Sequence, residues 1–144
     1  MIKDEIQKAV AVNLKAGKTT EVKVLRFLMS EINYAEIAKQ GQLADEETVS
    51  LLQKEVKKRK EAIEMFRKGN RADLVKDEEA QLIIIGQYLP KQLSDEQLNK
   101  IVEETVQSVE DKSNIGKIIG QVMVKVKGQA DGAEVAQLVR QKLQ

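Results

Sequence analysis

Tyr88-Leu89-Pro90-Lys91-Gln92-Leu93-Ser94 contains the only proline of a 144-residue chain, and its reading decides the fold. Proline has no backbone N–H and biases the residue before it away from helix, so a helix arriving from the N-terminal side ends near Leu89. Ser94 and Gln97 then have the spacing of a capping box, in which two side chains satisfy backbone amides of a new first turn. The stretch predicts a boundary. An N-terminal helical domain occupies residues 1–89, a linker 90–94 and a C-terminal domain 95–144.

Upstream of the boundary, apolar residues recur at helical spacing. Ile2, Ile6, Val10 and Leu14 mark a first helix closed by Gly17. Thr19 or Thr20 can cap a second, running to about Gln40, with Val22, Leu25, Leu28, Met29 and Ile32 on one side and Gly41 ending it. Asp45, Glu46 and Glu47 place negative charge at the start of a third, where the helix dipole favours it. Val49, Leu52, Val56, Ile63 and Phe66 form its stripe, and Gly69 closes it. Asn70 is placed to cap a fourth helix from Arg71 to about Leu89, with Leu74, Leu82, Ile85 and Tyr88 inward and Ile83 outward. Arg59 and Glu78 each interrupt an apolar stripe. A charge buried alone is costly, so these two are expected to form a structural ion pair.

Downstream, Leu98, Ile101, Val102, Val106 and Val109 form the face of a fifth helix. A sixth runs from Ile115 to Val126 and ends at Gly128. Asp131 and Glu134 have capping-box spacing before a last helix with Val135, Leu138, Val139 and Leu143 inward. The predicted class is all-α, an N-terminal bundle of about four helices followed by a small three-helix domain. Two Tyr, two Phe and no Trp agree with it, because strand-rich folds call for more aromatics.

The same composition excludes most familiar chemistry. Without histidine or cysteine the chain lacks the usual general base near neutral pH, the commonest transition-metal ligand and any thiolate. The pairs Glu78-Glu79 and Glu103-Glu104 are neighbours that diverge by about 100° on a helix, so neither is a ready acid/base dyad. No catalytic residue, metal site or cofactor is assigned. The longest apolar run, Leu82 to Gly86, is far short of the roughly 20 residues of a membrane span. The N-terminus lacks a signal-peptide apolar core. A cytoplasmic protein without membrane or DNA partners is expected.

Net charge is only +1, but it is unevenly distributed. Six acids against Lys100 give −5 between Asp95 and Asp111, and six bases against Asp131 and Glu134 give +4 from Lys112 onward. On the sixth helix Gly116, Gly120 and Lys127 share the face opposite the apolar stripe. Each exposed helical glycine costs about 1 kcal/mol relative to alanine, so something comes close to that backbone. Two occupants fit: another helix packed closely, or an anion such as RNA phosphate held by the lysines. The scarcity of aromatics argues against base stacking and leaves a folded RNA as the more sensible nucleic acid.

Ile118-Ile119-Gly120-Gln121-Val122-Met123, Lys125, Lys127-Gly128-Gln129-Ala130-Asp131-Gly132 and Val135 resemble the closing segment of the tail domain of the glutamyl/aspartyl-tRNA amidotransferase B subunit. With Lys57-Lys58-Arg59, Asn70-Arg71-Ala72-Asp73-Leu74 and the proline stretch, the whole chain resembles the stand-alone GatB/YqeY proteins. The resemblance implies an all-helical two-part fold and, for the amidotransferase tail, tRNA binding by a motif to which Gly120, Lys125 and Lys127 belong; together with the helix-six reading, the expected RNA- or partner-binding residues are Gly116, Lys117, Gly120, Gln121, Lys125, Lys127 and Gly128. It also implies a possible partner in an amidotransferase or aminoacyl-tRNA pathway. Gly132 stands where the amidotransferase tail usually has proline and agrees with the stand-alone branch. The family label is glutamine-dependent carbon–nitrogen ligase. Nothing in this chain matches the amidase or carboxylate-activating machinery, so the implied role in isolation is a non-catalytic accessory module. A protein-interaction adaptor using the same groove is the alternative, and a component of a ligase complex is a third reading.

Overall fold

The computed structural model describes residues 1–144 and contains seven helices and no strand. These are α1 (Ile2–Lys15), α2 (Thr19–Lys39), α3 (Asp45–Lys68), α4 (Ala72–Gly86), α5 (Asp95–Ser108), α6 (Ile115–Val126) and α7 (Gly132–Lys142). They fall into two compact units, Met1–Leu89 and Pro90–Gln144. In the first, α1 pairs with α2 and α3 with α4, and the two hairpins meet through α2 with α4, α1 with α3 and α2 with α3. In the second, each of α5, α6 and α7 packs on the other two.

The first core gathers Ile6, Leu25, Leu28, Ile32, Leu52 and Ile85, all buried. α1 is thinner than its apolar spacing suggests. Ile6 is its only buried residue, and Leu14, the last member of the expected stripe, is 56% exposed. The second core contains no aromatic residue. Six of its nine buried members are valine: Val102, Val106, Val122, Val126, Val135 and Val139. Valine is stiff in a helix and a weak helix former, so these short helices depend on burying one another.

Several helix ends differ from their expected chemistry. α2 is preceded by Lys18 with no side-chain cap, so neither Thr19 nor Thr20 caps it; the helix already includes both. Its C-terminal left-handed residue is Gln40 (φ 63°) rather than Gly41, and the amide of Gly41 closes the turn on the Glu36 carbonyl at 3.1 Å. Asn70 (φ 57°) takes the left-handed position after α3, which asparagine tolerates well, and Arg71 becomes the residue before α4. Asp131 precedes α7 but its side chain makes no capping bond. At α5 the capping box forms, with Gln97 N–H donating to Ser94 Oγ at 3.2 Å and Ser94 N–H to Gln97 Oε1 at 3.0 Å.

Residues 90–94, expected as a linker, are part of the second unit. Leu93 packs on its core, and its amide donates to the Gln129 carbonyl at 2.8 Å.

The expected Arg59–Glu78 pair does not form. Arg59 Nη1 instead bonds Glu55 Oε2 at 2.8 Å within α3, and its Nε donates to Gln81 Oε1 of α4 at 3.1 Å. Four residues along one helix are neighbours, so Glu55 reaches the guanidinium without crossing between helices. Glu55 and Arg59 side chains are only 4% and 11% exposed. The Arg59 guanidinium also lies 5.4 Å from the centroid of the Phe27 ring, a cation–π contact with α2.

A second polar cluster closes the α2–α3 loop. The Glu36 carboxylate pairs with Lys3 and accepts the amide of buried Leu43 at 3.0 Å. Those bonds, the lysine first, hold its pKa below the ordinary glutamate value near 4.5.

Breaking a buried ion pair leaves one charge uncompensated. Glu55→Ala is therefore expected to lower unfolding stability by about 3 kcal/mol, while half-buried Glu78→Gln stays within about 0.5 kcal/mol of wild type. Urea unfolding of the two variants checks this. Because the folded-state pKa of Glu36 is depressed, its contribution is present above the ordinary value and lost as pH falls through the folded one. The melting-temperature gap between wild type and Glu36→Gln should be widest near neutral pH and should close in acid. A gap that is constant with pH contradicts the assignment.

Candidate nucleic-acid interface

α6 has the bounds its apolar spacing predicts, Ile115–Val126. Asn114 Oδ1 accepts the Lys117 amide at 3.1 Å and starts it. Ile118, Val122 and Val126 are fully buried, which turns the remaining arc of the helix to solvent. At about 100° per residue that arc begins with Gly116 and Gly120, passes Val124 and Lys117, and ends with Gln121 and Lys125.

At the glycine edge there is space. A Cβ placed on Gly120 meets nothing within 4 Å, and one on Gly116 meets only Asn114 Oδ1 at 3.7 Å, an ordinary contact. No helix of the second unit packs closely there. Close approach of α5 or α7 therefore does not explain these glycines. Val124, one turn beyond Gly120, is 70% exposed.

The expected site residues do not act as one group. Lys125 lies at the far edge of the arc, where its Nζ donates to Thr105 Oγ1 of α5 at 2.9 Å; Thr105 is fully buried and donates in turn to the Ile101 carbonyl at 2.7 Å. Lys125 therefore ties α6 to α5. Gly128 (φ 81°) supplies a left-handed turn that other residues adopt only at a cost, and its carbonyl accepts Gln92 Nε2 at 3.1 Å. Its need for glycine is conformational. Gln121 is half-buried beside Lys125.

Gly116, Lys117, Gly120 and Lys127 remain exposed. Lys127 is left-handed itself (φ 43°), an unusual conformation for a lysine and one that leaves the helix axis immediately after Val126. Near Lys117 lies Asp111, whose carboxyl is held below the usual range by the Ser113 hydroxyl and amide and, more weakly, by Lys117 itself. Sequence reasoning missed the Thr105 contact. Its one visible sign is a hydroxyl among the valines of α5.

No group of three or more Asp and Glu side chains is arranged to hold a metal ion. No helix is long and apolar enough to cross a membrane.

Comparison with known proteins places this geometry in context. The chain is 36% identical over 89 residues to an uncharacterised protein of Schizosaccharomyces pombe, covering 62% of this chain and 72% of that one. It is 29% identical over 125 residues to the altered inheritance of mitochondria protein 41 of Pyrenophora tritici-repentis, covering 84% and 68% respectively. It is 39% identical over 89 residues to the protein of the same name in Lachancea thermotolerans, covering 61% of this chain and 46% of that one. Both named relatives are described as mitochondrial, which overturns the expectation of a cytoplasmic protein drawn from the absence of a signal-peptide core. The model of the Yqey-like protein family matches residues 3–143, and the chain belongs to that family.

Proposed function

We propose that the C-terminal unit binds tRNA, or another structured RNA, through the solvent face of α6 and the turn that follows it, as an accessory module that carries no reacting groups of its own. The observation that supports this most is the open space beside Gly116 and Gly120. Two glycines that weaken a helix, and that nothing inside the C-terminal unit requires, are accounted for if a bulky surface from outside lies against the backbone. Lys117 and Lys127 border that surface, and phosphate oxygens are the ligand that lysines of this kind position without reading sequence. The resemblance to the amidotransferase tail includes Gly120 and Lys127 and supports a place beside an aminoacyl-tRNA pathway.

Val124 favours a second reading, in which the face receives a helix of a partner protein. An apolar residue 70% exposed in line with the two glycines gives such a helix something to bury.

Binding to total tRNA, followed by filter retention or fluorescence anisotropy, should weaken steeply as salt rises. Lys117→Glu combined with Lys127→Glu should lower affinity by about tenfold or more at fixed salt. Gly120→Leu, whose Cβ meets nothing within 4 Å, should lower it similarly, with a melting curve checking that the unit stays folded. Absence of binding at low ionic strength rejects the RNA reading. A nuclease-resistant protein complex abolished by Val124→Asp would support the adaptor instead. Lys125→Met should act differently, lowering the thermal stability of the unit through the lost Thr105 bond and changing RNA affinity less than the Lys117/Lys127 pair.

A further inference from the structure

The first unit carries a groove that the RNA reading does not use. It lies at the elbow between α1 and α2, encloses about 410 Å³, and is lined by Asn13 and Leu14 from the end of α1 and by Lys18, Val22, Lys23 and Arg26 from the start of α2. Arg26 lies three residues after Lys23 and four after Val22 and so neighbours both on the surface of α2. The groove's floor is apolar, with Val22 buried to 7% exposure and Leu14 left 56% exposed and uncovered by the chain.

Its charge is one-sided. No carboxylate lines it, and none of Lys18, Lys23 and Arg26 is in an ion pair, whereas Lys3, Lys39, Lys58, Arg59, Arg67 and Arg71 all are. Two other grooves on the same unit differ in this respect. One, of about 440 Å³, adjoins the elbow, sharing Asn13 and Lys18 with it, and includes Glu21; the other, of about 500 Å³, has its Arg67 already bonded to Glu79. Cations held around an apolar wall at this volume match a small ligand that has both an anionic head and an apolar body. A bare inorganic anion leaves Leu14 and Val22 unused, and a neutral hydrocarbon leaves three positive charges uncompensated.

We infer that the α1–α2 elbow is a binding site for a soluble amphiphilic anion, a phosphate or carboxylate on an alkyl or acyl body, with the head group on Lys18, Lys23 and Arg26 and the body against Leu14 and Val22. The site is independent of α6 and of the RNA reading.

Calorimetric titration of the full chain tests it with three probes: decyl phosphate below its micellar concentration, inorganic phosphate, and decanol. Decyl phosphate should bind saturably at one per chain, with each of the other two at least about tenfold weaker. Lys23→Ala with Arg26→Ala, both exposed and unpaired, should weaken decyl phosphate about tenfold or more, and Leu14→Asp should also weaken it. Leu14 is exposed, so the latter variant retains the fold, which its melting curve verifies. Equal affinity for inorganic phosphate, unchanged binding to the double variant, or displacement of decyl phosphate by tRNA would overturn the inference. So would binding to anionic vesicles with none to monomeric decyl phosphate.

Discussion

Arg59 is the point on which the N-terminal unit is registered. Its guanidinium is bonded to Glu55 on its own helix and to Gln81 on α4, and it lies over the ring of Phe27 on α2. A planar cation with several donors can meet a carboxylate, an amide and an aromatic face at once, which a lysine cannot reproduce. Sliding α4 by one turn along α3 breaks the Gln81 bond, and rotating α2 removes the ring. The pair need not add much net stability compared with an apolar replacement of the same volume. Its contribution is to make one arrangement of three helices better than the neighbouring ones, because the guanidinium held by Glu55 meets both Gln81 and the Phe27 ring only there.

The C-terminal unit is fixed by different means. Its core is mostly valine, a residue whose shape varies little between rotamers, so its interlocking is stiff but not very selective. Polar contacts at the margins supply selection. Lys125 bonds Thr105 across α5 and α6, Leu93 holds the incoming chain to Gln129, and Gln92 reaches the Gly128 carbonyl. Pro90 has no amide to donate and leads directly into this bonded stretch. The boundary legible in the sequence is real as a helix end, but the residues after it are engaged rather than idle.

The helices were legible because apolar spacing is imposed by burial, and burial is the term that decides where a helix face turns. Ile115–Val126 and the Ser94–Gln97 box follow directly from residue types at fixed spacings. The errors share another origin. Gln40 and Gly41, or Asn70 and Arg71, are adjacent residues competing for one turn position, and a difference of about 1 kcal/mol in left-handed preference is overridden by the packing on either side. Arg59 had carboxylates available both on its own helix and across the bundle, and spacing does not state which distance the fold makes shorter. At the candidate site the glycine edge could be read from the helix wheel. The role of Lys125 could not, because the hydroxyl it bonds belongs to a different helix about twenty residues earlier.

The two surfaces singled out for anions differ in a way that predicts different ligands. Beside Gly116 and Gly120 the missing Cβ atoms leave an open backbone surface bordered by lysines. A long, regularly charged polymer suits such a surface, because its affinity grows with the number of phosphates it lays down rather than with any single enclosed contact. The α1–α2 elbow has the reverse character: Lys18, Lys23 and Arg26 line a bounded volume with Leu14 and Val22 at its wall. There the gain comes from one head group and one apolar body meeting the protein together, which favours a compact amphiphile over a polymer. Exposure of Leu14 is the telling detail, since an apolar side chain contributes little to holding phosphate and leaves more than half its surface in water unless an apolar body covers it.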